Sequence, residues 1–409
     1  MSKNSNGANN TIVDHKKIDE ILDRGMIVEI LPSKDEFRNK LLSGEKMRFY
    51  IGFDATAPNL HLSHAKNFMF LEKIRKLGHE VIVLFGDFTA TIGDPSDKDS
   101  IRKRLSREEV AVNVKKWREL IKPLMDFEDK NNPPKIMYNG DWLRKLNLED
   151  LVGLASNFTV QQILERDMFQ KRLKENKPIY LHEFLYPLMQ GYDSVAMDVD
   201  VEVCGTDQIF NALAGRTLLK KLKNKDKYVV ALTLMENPKT GEMMSKSRGV
   251  GVFLDASPDD MYGQIMAQPD EMLEILFTNN TYLPLDEIKN ILEQENPRDV
   301  KMRLALEIAK IFYGDDAAQK AERYFIKTVQ KKETPDDIEE IKIKAGEYAP
   351  LELLALLKLA SSKNDAKRLI EQGAVKIDNK TLTDWRKKII VKDSDIIKVG
   401  KRKFVKIAV

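Results

Sequence analysis

A single cysteine, Cys204, stands in 409 residues. It cannot close an internal disulfide, and without a second thiol there is no cysteine knuckle for a structural zinc. Histidine is nearly as scarce: the chain has five, scattered apart from His61 and His64. No apolar run approaches the roughly 20 residues that cross a bilayer. The opening MSKNSNGANNT is polar and Asn-rich and lacks a signal peptide's apolar stretch. Residues 1–14 therefore read as a disordered leader, and the thiol-poor chain as a cytoplasmic protein with no protein-bound structural metal. Internal repeats and low-complexity core segments are absent as well.

What is present describes a soluble globular protein. Apolar residues make up 42% of the chain and charged residues 32%, and the length suits two or three domains. Net charge is only +3, but it is unevenly placed. Residues 350–409 hold 15 Lys/Arg against 7 Asp/Glu, which leaves the rest of the chain net acidic. A compact basic module on an acidic body suggests a polyanionic partner, nucleic acid above all.

Residues 16–46 carry helical periodicity and little chemistry. Residues 47–53 then read as a strand, 62–77 as a helix closed by Gly78 at its C′ position, and 80–85 (EVIVLF) as a strand covered on both faces. The order repeats later. Val199, Val201 and Val203 alternate with Asp200 and Glu202 as a strand; 207–222 follow as a helix and 228–232 as another strand. Strand–helix–strand units predict a doubly wound α/β domain over 15–256, with ligands bound beyond the carboxyl ends of its strands. Strand signals vanish from Ser257-Pro258 onward, so 257–328 reads as a helical domain. Residues 329–348, rich in Lys, Glu and Asp, read as a linker, and 349–409 as a small basic α+β domain.

Chemistry concentrates in a few places. Tyr50-Ile-Gly-Phe-Asp54 leads through Ala-Pro-Asn-Leu to His61-Leu-Ser-His64, two imidazoles on the first turn of a helix that follows a strand. A helix N-terminus favours anions, so the pair could bond phosphate oxygens; taken alone, it fits a helix cap with an incidental second histidine equally well. Met243-Met-Ser-Lys246-Ser247 lies in a Gly- and Ser-flanked loop after the last predicted α/β strand. A lysine there can meet phosphate charge as it grows. Tyr186, Gln190 and Asp193 recur at i, i+4 and i+7 and would form one polar stripe on an apolar helix. Such a stripe needs partners, either within the protein or in a ligand.

Together, HLSH near the first strand and MMSKS after the last resemble the HIGH and KMSKS signatures of class I aminoacyl-tRNA synthetases, in the family's order. Ser63 stands where the family usually has Gly, and Met243 where it has its first signature lysine. The stripe resembles the tyrosine-binding helix of the tyrosyl-tRNA synthetases, and that resemblance covers essentially the whole chain. It implies that Tyr186, Gln190 and Asp94 hold the substrate ammonium, that Asp193 and Tyr50 meet its phenol, and that Gln208 lies near its carboxylate. It places Gly205 and Asp207 at the ribose, Asp54 along the adenylate, and His61, His64, Lys246 and Ser247 around ATP. Lys98 and Arg102 match a loop that meets the departing pyrophosphate. Mg2+ would accompany ATP as part of the substrate.

The tail resembles the RNA-binding module named after ribosomal protein four of the small subunit, with Arg368, Lys376, Arg386, Lys387 and Lys388 as phosphate contacts to tRNA. The family also implies a homodimer, and a helical segment that approaches the anticodon arm. Rival readings are a tryptophanyl-tRNA synthetase, a small nucleotidyltransferase, or a synthetase-like RNA-binding protein without catalysis.

Overall fold

β-branched runs line up as parallel strands in the computed structural model, which describes residues 11–55, 58–92, 106–244, 250–294, 296–331, 339–378, 380–400 and 403–409. Asp94, Lys98, Arg102, Lys246 and Ser247 lie outside them. One six-stranded sheet comprises β1 (Ile27–Leu31), β2 (Arg48–Phe53), β3 (Glu80–Phe85), β4 (Lys135–Tyr138), β5 (Val201–Gly205) and β6 (Tyr228–Leu232). Its order is β1-β6-β5-β2-β3-β4. All neighbours are parallel except β1, which runs antiparallel along β6. The chain winds from β2 outward through β3 to β4, then returns to the other side of β2 for β5 and β6. Strand order therefore reverses between β2 and β5, and a crevice opens at their carboxyl ends.

Three helices matter most to that crevice. They are α1 (Leu62–Lys76), α2 (Tyr186–Met197) and α3 (Ile209–Lys223). His61, in extended conformation, is the N-cap of α1, and Gly78 follows the C-cap Leu77 with φ +99°, a left-handed conformation glycine adopts without strain. α2 and α3 pack closely where Gly191 meets Gly215 and Ala214.

Several features depart from the sequence reading. Residues 11–14, assigned above to a disordered leader, are tied down: Thr11 is buried, the Ile12 N–H bonds the Leu77 carbonyl at 2.7 Å, and Asp14 caps the helix His15–Asp23. The region 16–46 contains the edge strand β1 as well as helices. β4 is short and only partly buried, a weak apolar signal.

The chain forms two compact units, residues 1–255 with 267–312, and residues 256–266 with 313–409. The segment 257–328 is thus divided between them rather than standing as a body of its own. In the first unit, helix Leu273–Asn280 packs on α1. Its terminal carbonyl region is claimed by buried Arg24, which donates to the oxygens of Thr278 (3.0 Å), Thr281 (2.6 Å) and Leu283 (2.9 Å). In the second unit, helix Pro258–Met266 packs on helix Asp315–Phe325, with the Tyr262 and Phe325 rings 5.5 Å apart.

That second unit ends in two small sheets built from β7 (Glu339–Lys342), β8 (Gly346–Tyr348), β9 (Val375–Ile377), β10 (Lys380–Thr381), β11 (Ile389–Val391), β12 (Ile396–Val399) and β13 (Lys403–Ala408). Their orders are β10-β9-β12-β13-β7 and β11-β8. They close on a core of Leu353, Leu354, Ile370, Val375, Ile397 and Ile407. The stretch read as a linker therefore contributes two strands. Its charged composition hides them because both lie at sheet edges, where alternate residues face water.

Arg24→Met leaves three helix-end carbonyls without their donor. It is expected to destabilise the first unit by about 2–4 kcal/mol, read as a lowered urea midpoint followed by far-ultraviolet circular dichroism.

Candidate active site

The histidine pair sits where β2 runs into α1. The His61 and His64 ring centroids are 4.0 Å apart. The His61 backbone N–H donates to His64 Nδ1 at 3.3 Å, which assigns the proton of neutral His64 to Nε2. Burial pushes the His61 imidazole down to about 4 and the His64 imidazole well below its usual value. Both are therefore neutral at neutral pH and offer N–H groups rather than charge. His61 Nδ1 is buried with no hydrogen-bond partner among the described residues.

Segment 252–254 runs along 60–62: Leu62 N–H bonds the Val252 carbonyl (3.0 Å), Leu254 N–H bonds the Leu60 carbonyl (2.9 Å), and Phe253 pairs with His61. Met244 and Gly251, which bracket the sequence containing Lys246, pack together; a Cβ on Gly251 would stand 2.9 Å from the Met244 Cβ. The two signature elements are thus joined by the described residues flanking that sequence.

Asp193, on α2, is 2% exposed. Its carboxylate accepts from Trp142 Nε1 (2.7 Å) and Asn139 Nδ2 (3.2 Å). Burial pushes this carboxyl up, and the two N–H donors oppose that shift. Tyr50, buried on β2, has its hydroxyl 3.0 Å from Ser194 Oγ. Burial raises the Tyr50 phenol well above its ordinary value, so it keeps its proton.

A chain of bonds runs on from Asn139 to Asp54. Asn139 donates to Thr89 Oγ1 (3.0 Å), Thr89 donates to Asp54 Oδ1 (2.7 Å), and the Tyr186 hydroxyl donates to Asp54 Oδ2 (3.0 Å). Gln190 donates to Glu202 at 3.1 Å. At the carboxyl end of β5, Gly205 leads into Asp207 and Gln208; Gln208 donates to Asp207 (3.1 Å) and accepts from Asn211 (2.8 Å). Behind them Lys66 is 2% exposed and bonded to Asn67 at 2.8 Å. Burial pushes its ammonium down to about 7, against the opposing field of Asp207.

The structure thus gathers Tyr50, Asp54, His61, His64, Tyr186, Gln190, Asp193, Gly205, Asp207 and Gln208 around the crevice between β2 and β5. It adds residues that sequence reasoning missed: Thr89, Asn139, Trp142, Ser194, Lys227, Lys66 and Glu202. Glu202 looked like the solvent side of an alternating strand, yet it is 2% exposed. A charged residue in a strand between two parallel neighbours was the available signal, since helices cover both faces there. Asn139 and Trp142 carried none.

In the second unit, Arg368 is exposed and bonded to Asp365 at 2.7 Å. Lys376 lies opposite Lys398 across β9 and β12. Arg386 and Lys367 flank the Trp385 ring at 4.7 and 4.9 Å. Lys387 is exposed, and Lys388 lies 3.5 Å from Glu347.

Comparison with known proteins agrees with this geometry. Residues 42–330 match the model of the tRNA synthetases class I (W and Y), and residues 352–397 match the S4 domain. The chain belongs to the class I tRNA synthetases of that tryptophan and tyrosine group. Within it, the chain is 39% identical to the tyrosine–tRNA ligase of Moorella thermoacetica, over 95% of this chain and 94% of the relative. It is also 39% identical to that of Thermotoga maritima, over 93% and 95%. The fold is shared with a tyrosyl-tRNA synthetase from Archaeoglobus fulgidus solved with L-tyrosine, at TM-score 0.59 and 19% identity, covering 76% of this chain and all of that one.

The depressed imidazoles carry a pH signature. His79, which accepts from the Met47 N–H at 3.2 Å, is also pushed down to about 4 by burial. The unfolded chain binds these protons more tightly than the folded one. Stability present above the usual histidine value, near 6.5, is therefore lost as pH falls toward 4. These histidines should leave the thermal midpoint unchanged above pH 7 and lower it below 6.5, while the depressed Lys66 ammonium adds a rise with pH above about 7. His79→Gln is expected to lower the proton uptake on unfolding at pH 5 by about one.

Proposed function

We propose that this chain activates L-tyrosine with ATP, forming tyrosyl-adenylate and pyrophosphate, and then transfers tyrosine to the 3′ end of tRNA(Tyr). The observation that carries the reading is buried Asp193, bonded by Trp142 and Asn139 and adjacent to Ser194, which meets the Tyr50 hydroxyl, in the unit whose β2–α1 junction holds the paired His61 and His64. Asp193 as an acceptor, with the Tyr50 hydroxyl close by, suits a phenol, which can both donate and accept; an indole N–H could donate to Asp193 but offers nothing for Tyr50 to donate to. That chemistry, and relatives named for tyrosine, disfavour the tryptophanyl reading.

The tyrosine carboxylate is already ionised and attacks the α-phosphorus without a general base, so catalysis rests on positioning and charge stabilisation. His64 Nε2–H and the His61 ring are placed to donate to phosphate oxygens, and the unpartnered, buried His61 Nδ1 fits a site that a polar ligand completes. By family resemblance Lys246, Lys98 and Arg102 meet the growing pyrophosphate charge, Ser247 joins the nucleotide site, and Asp94 joins Tyr186 and Gln190 at the substrate ammonium. Asp54 lines the adenylate, Gly205 and Asp207 receive the ribose, and Gln208 stands near the tyrosyl carboxylate. Mg2+ enters with ATP as substrate, held mainly by phosphates and water. Among the described residues, no group of three or more His, Cys, Asp or Glu could hold a metal ion.

tRNA is read in part by the basic unit, through Arg368, Lys376, Arg386, Lys387 and Lys388, with Trp385 as a stacking surface between two cations. A homodimer is supported by exposed apolar side chains concentrated in one stretch of the first unit: Leu148, Val152, Val160, Tyr180 and Leu181. No helix among the described residues is long and apolar enough to cross a membrane. With its lone buried thiol, the chain suits the cytoplasm.

ATP–pyrophosphate exchange tests the reading. Tyrosine should support exchange while tryptophan and phenylalanine do not, and Asp193→Ala should lower kcat/KM for tyrosine at least about a hundredfold. Exchange driven by tryptophan alone, or tRNA binding without any adenylate, would defeat it. Removing Arg386 and Lys387 together should weaken tRNA binding and reduce the slope of log affinity against log salt by about 1–2, measured by filter binding across salt.

A further inference from the structure

Behind Tyr50 lies a buried polar cluster that the proposed chemistry leaves unused. Lys227 is 1% exposed and forms a buried ion pair with Glu202, itself at 2%. The same ammonium donates to Ser194 Oγ at 2.9 Å, and Ser194 lies 3.0 Å from the Tyr50 hydroxyl and 3.3 Å from Glu202 Oε2. Space for this arrangement is reserved in α3: a Cβ on Gly215 would sit 2.6 Å from Lys227 Nζ and 2.7 Å from Ser194 Oγ. No larger residue could occupy that position without displacing the relay.

The direction of the bonds follows from which atoms can donate. An ammonium only donates, so Ser194 Oγ accepts from Lys227 and has one proton left to give. Asp193, with both oxygens already receiving N–H groups, acts as an acceptor and takes the proton of the substrate phenol. The phenol oxygen must then accept, so Tyr50 must donate to it, and Tyr50 in turn must accept from Ser194. Ser194 Oγ lies closer to the Tyr50 hydroxyl than to Glu202 Oε2, the competing acceptor within reach.

We infer that Lys227 and Ser194 are positioning residues that fix the Tyr50 hydroxyl as a donor, so that the site demands a substrate hydroxyl able both to accept from Tyr50 and to donate to Asp193. This rests on the tyrosine reading above and adds a determinant of its specificity. The bonds of the relay run to Tyr50 and Glu202 and not to His61 or His64, so its loss should act on substrate binding and selection rather than on the phosphoryl step.

The test is ATP–pyrophosphate exchange with tyrosine and phenylalanine on the full-length protein. Ser194→Ala keeps the Lys227–Glu202 pair and removes only the relay. It should lower kcat/KM for tyrosine about tenfold through KM, with kcat for tyrosine and kcat/KM for phenylalanine unchanged. In a Tyr50→Phe background the same substitution should have no further effect on tyrosine. Lys227→Met combined with Glu202→Gln leaves no unpaired buried charge but also changes the partner of Gln190, so it should lower the tyrosine-to-phenylalanine ratio as Ser194→Ala does while weakening binding of both substrates. An unchanged tyrosine-to-phenylalanine ratio in Ser194→Ala, or an effect that persists without the Tyr50 hydroxyl, would overturn the relay alone. Absence of tyrosine-dependent exchange in the unaltered protein would overturn the substrate reading and the relay with it.

Discussion

Two carboxylates, Asp193 and Glu202, are buried where apolar strands and helices meet, and the rest of the site is arranged around compensating them. An isolated charge in such surroundings is prohibitive, and a paired or hydrogen-bonded one is tolerable. Glu202 is answered by Lys227 and Gln190, and Asp193 by the indole of Trp142 and the amide of Asn139. These answers differ in kind. The first closes a charge balance and leaves nothing over. The second uses neutral donors, so Asp193 retains acceptor strength for an incoming hydroxyl. Structural and ligand-facing carboxylates are distinguished here by who pays for them.

Sheet topology converts these local solutions into a shared cavity. Tyr50 lies on β2 with Asp54 directly after it, and Gly205 ends β5 with Asp207 beyond it, the two strands between which the winding direction reverses. Helices on either side of a reversal diverge, leaving a cleft that needs no dedicated loops to create it. The bonds from Asn139 to Asp193 and through Thr89 to Asp54 and Tyr186 hold the two carboxylates of β2's end and α2 in one hydrogen-bonded frame.

Much of this was legible in residue order. The period-2 and continuous apolar runs marked β2, β3, β5 and β6, because parallel strands buried on both faces carry an unmistakable composition. The i, i+4, i+7 stripe of Tyr186, Gln190 and Asp193 marked α2 because polar side chains on a buried helix demand partners. Where legibility failed, the information was not local. Asn139 and Trp142 become meaningful only once β4 delivers them to Asp193. The roles of Lys227 and Ser194 depend on the gap that Gly215 leaves on a different helix. Charged residues at 339–348 resembled a connector because edge strands in a small sheet need few apolar side chains. The helical segment looked like one domain because its Pro and Gly breaks say where helices stop and nothing about which body each one joins.

The pairing of residues 60–62 with 252–254 bears on how the protein comes into being. The first of these segments belongs to the opening β-strand crossover and the second follows the final strand of the sheet, so nearly the whole sheet must be in place before they can meet. A chain interrupted between 232 and 252 holds all six strands of the sheet yet lacks the partner for Leu60 and Leu62. Synthesis or proteolysis that stops short therefore yields fragments with a recognisable scaffold and an open mouth. Chemical competence arrives in a single step, with the completed unit.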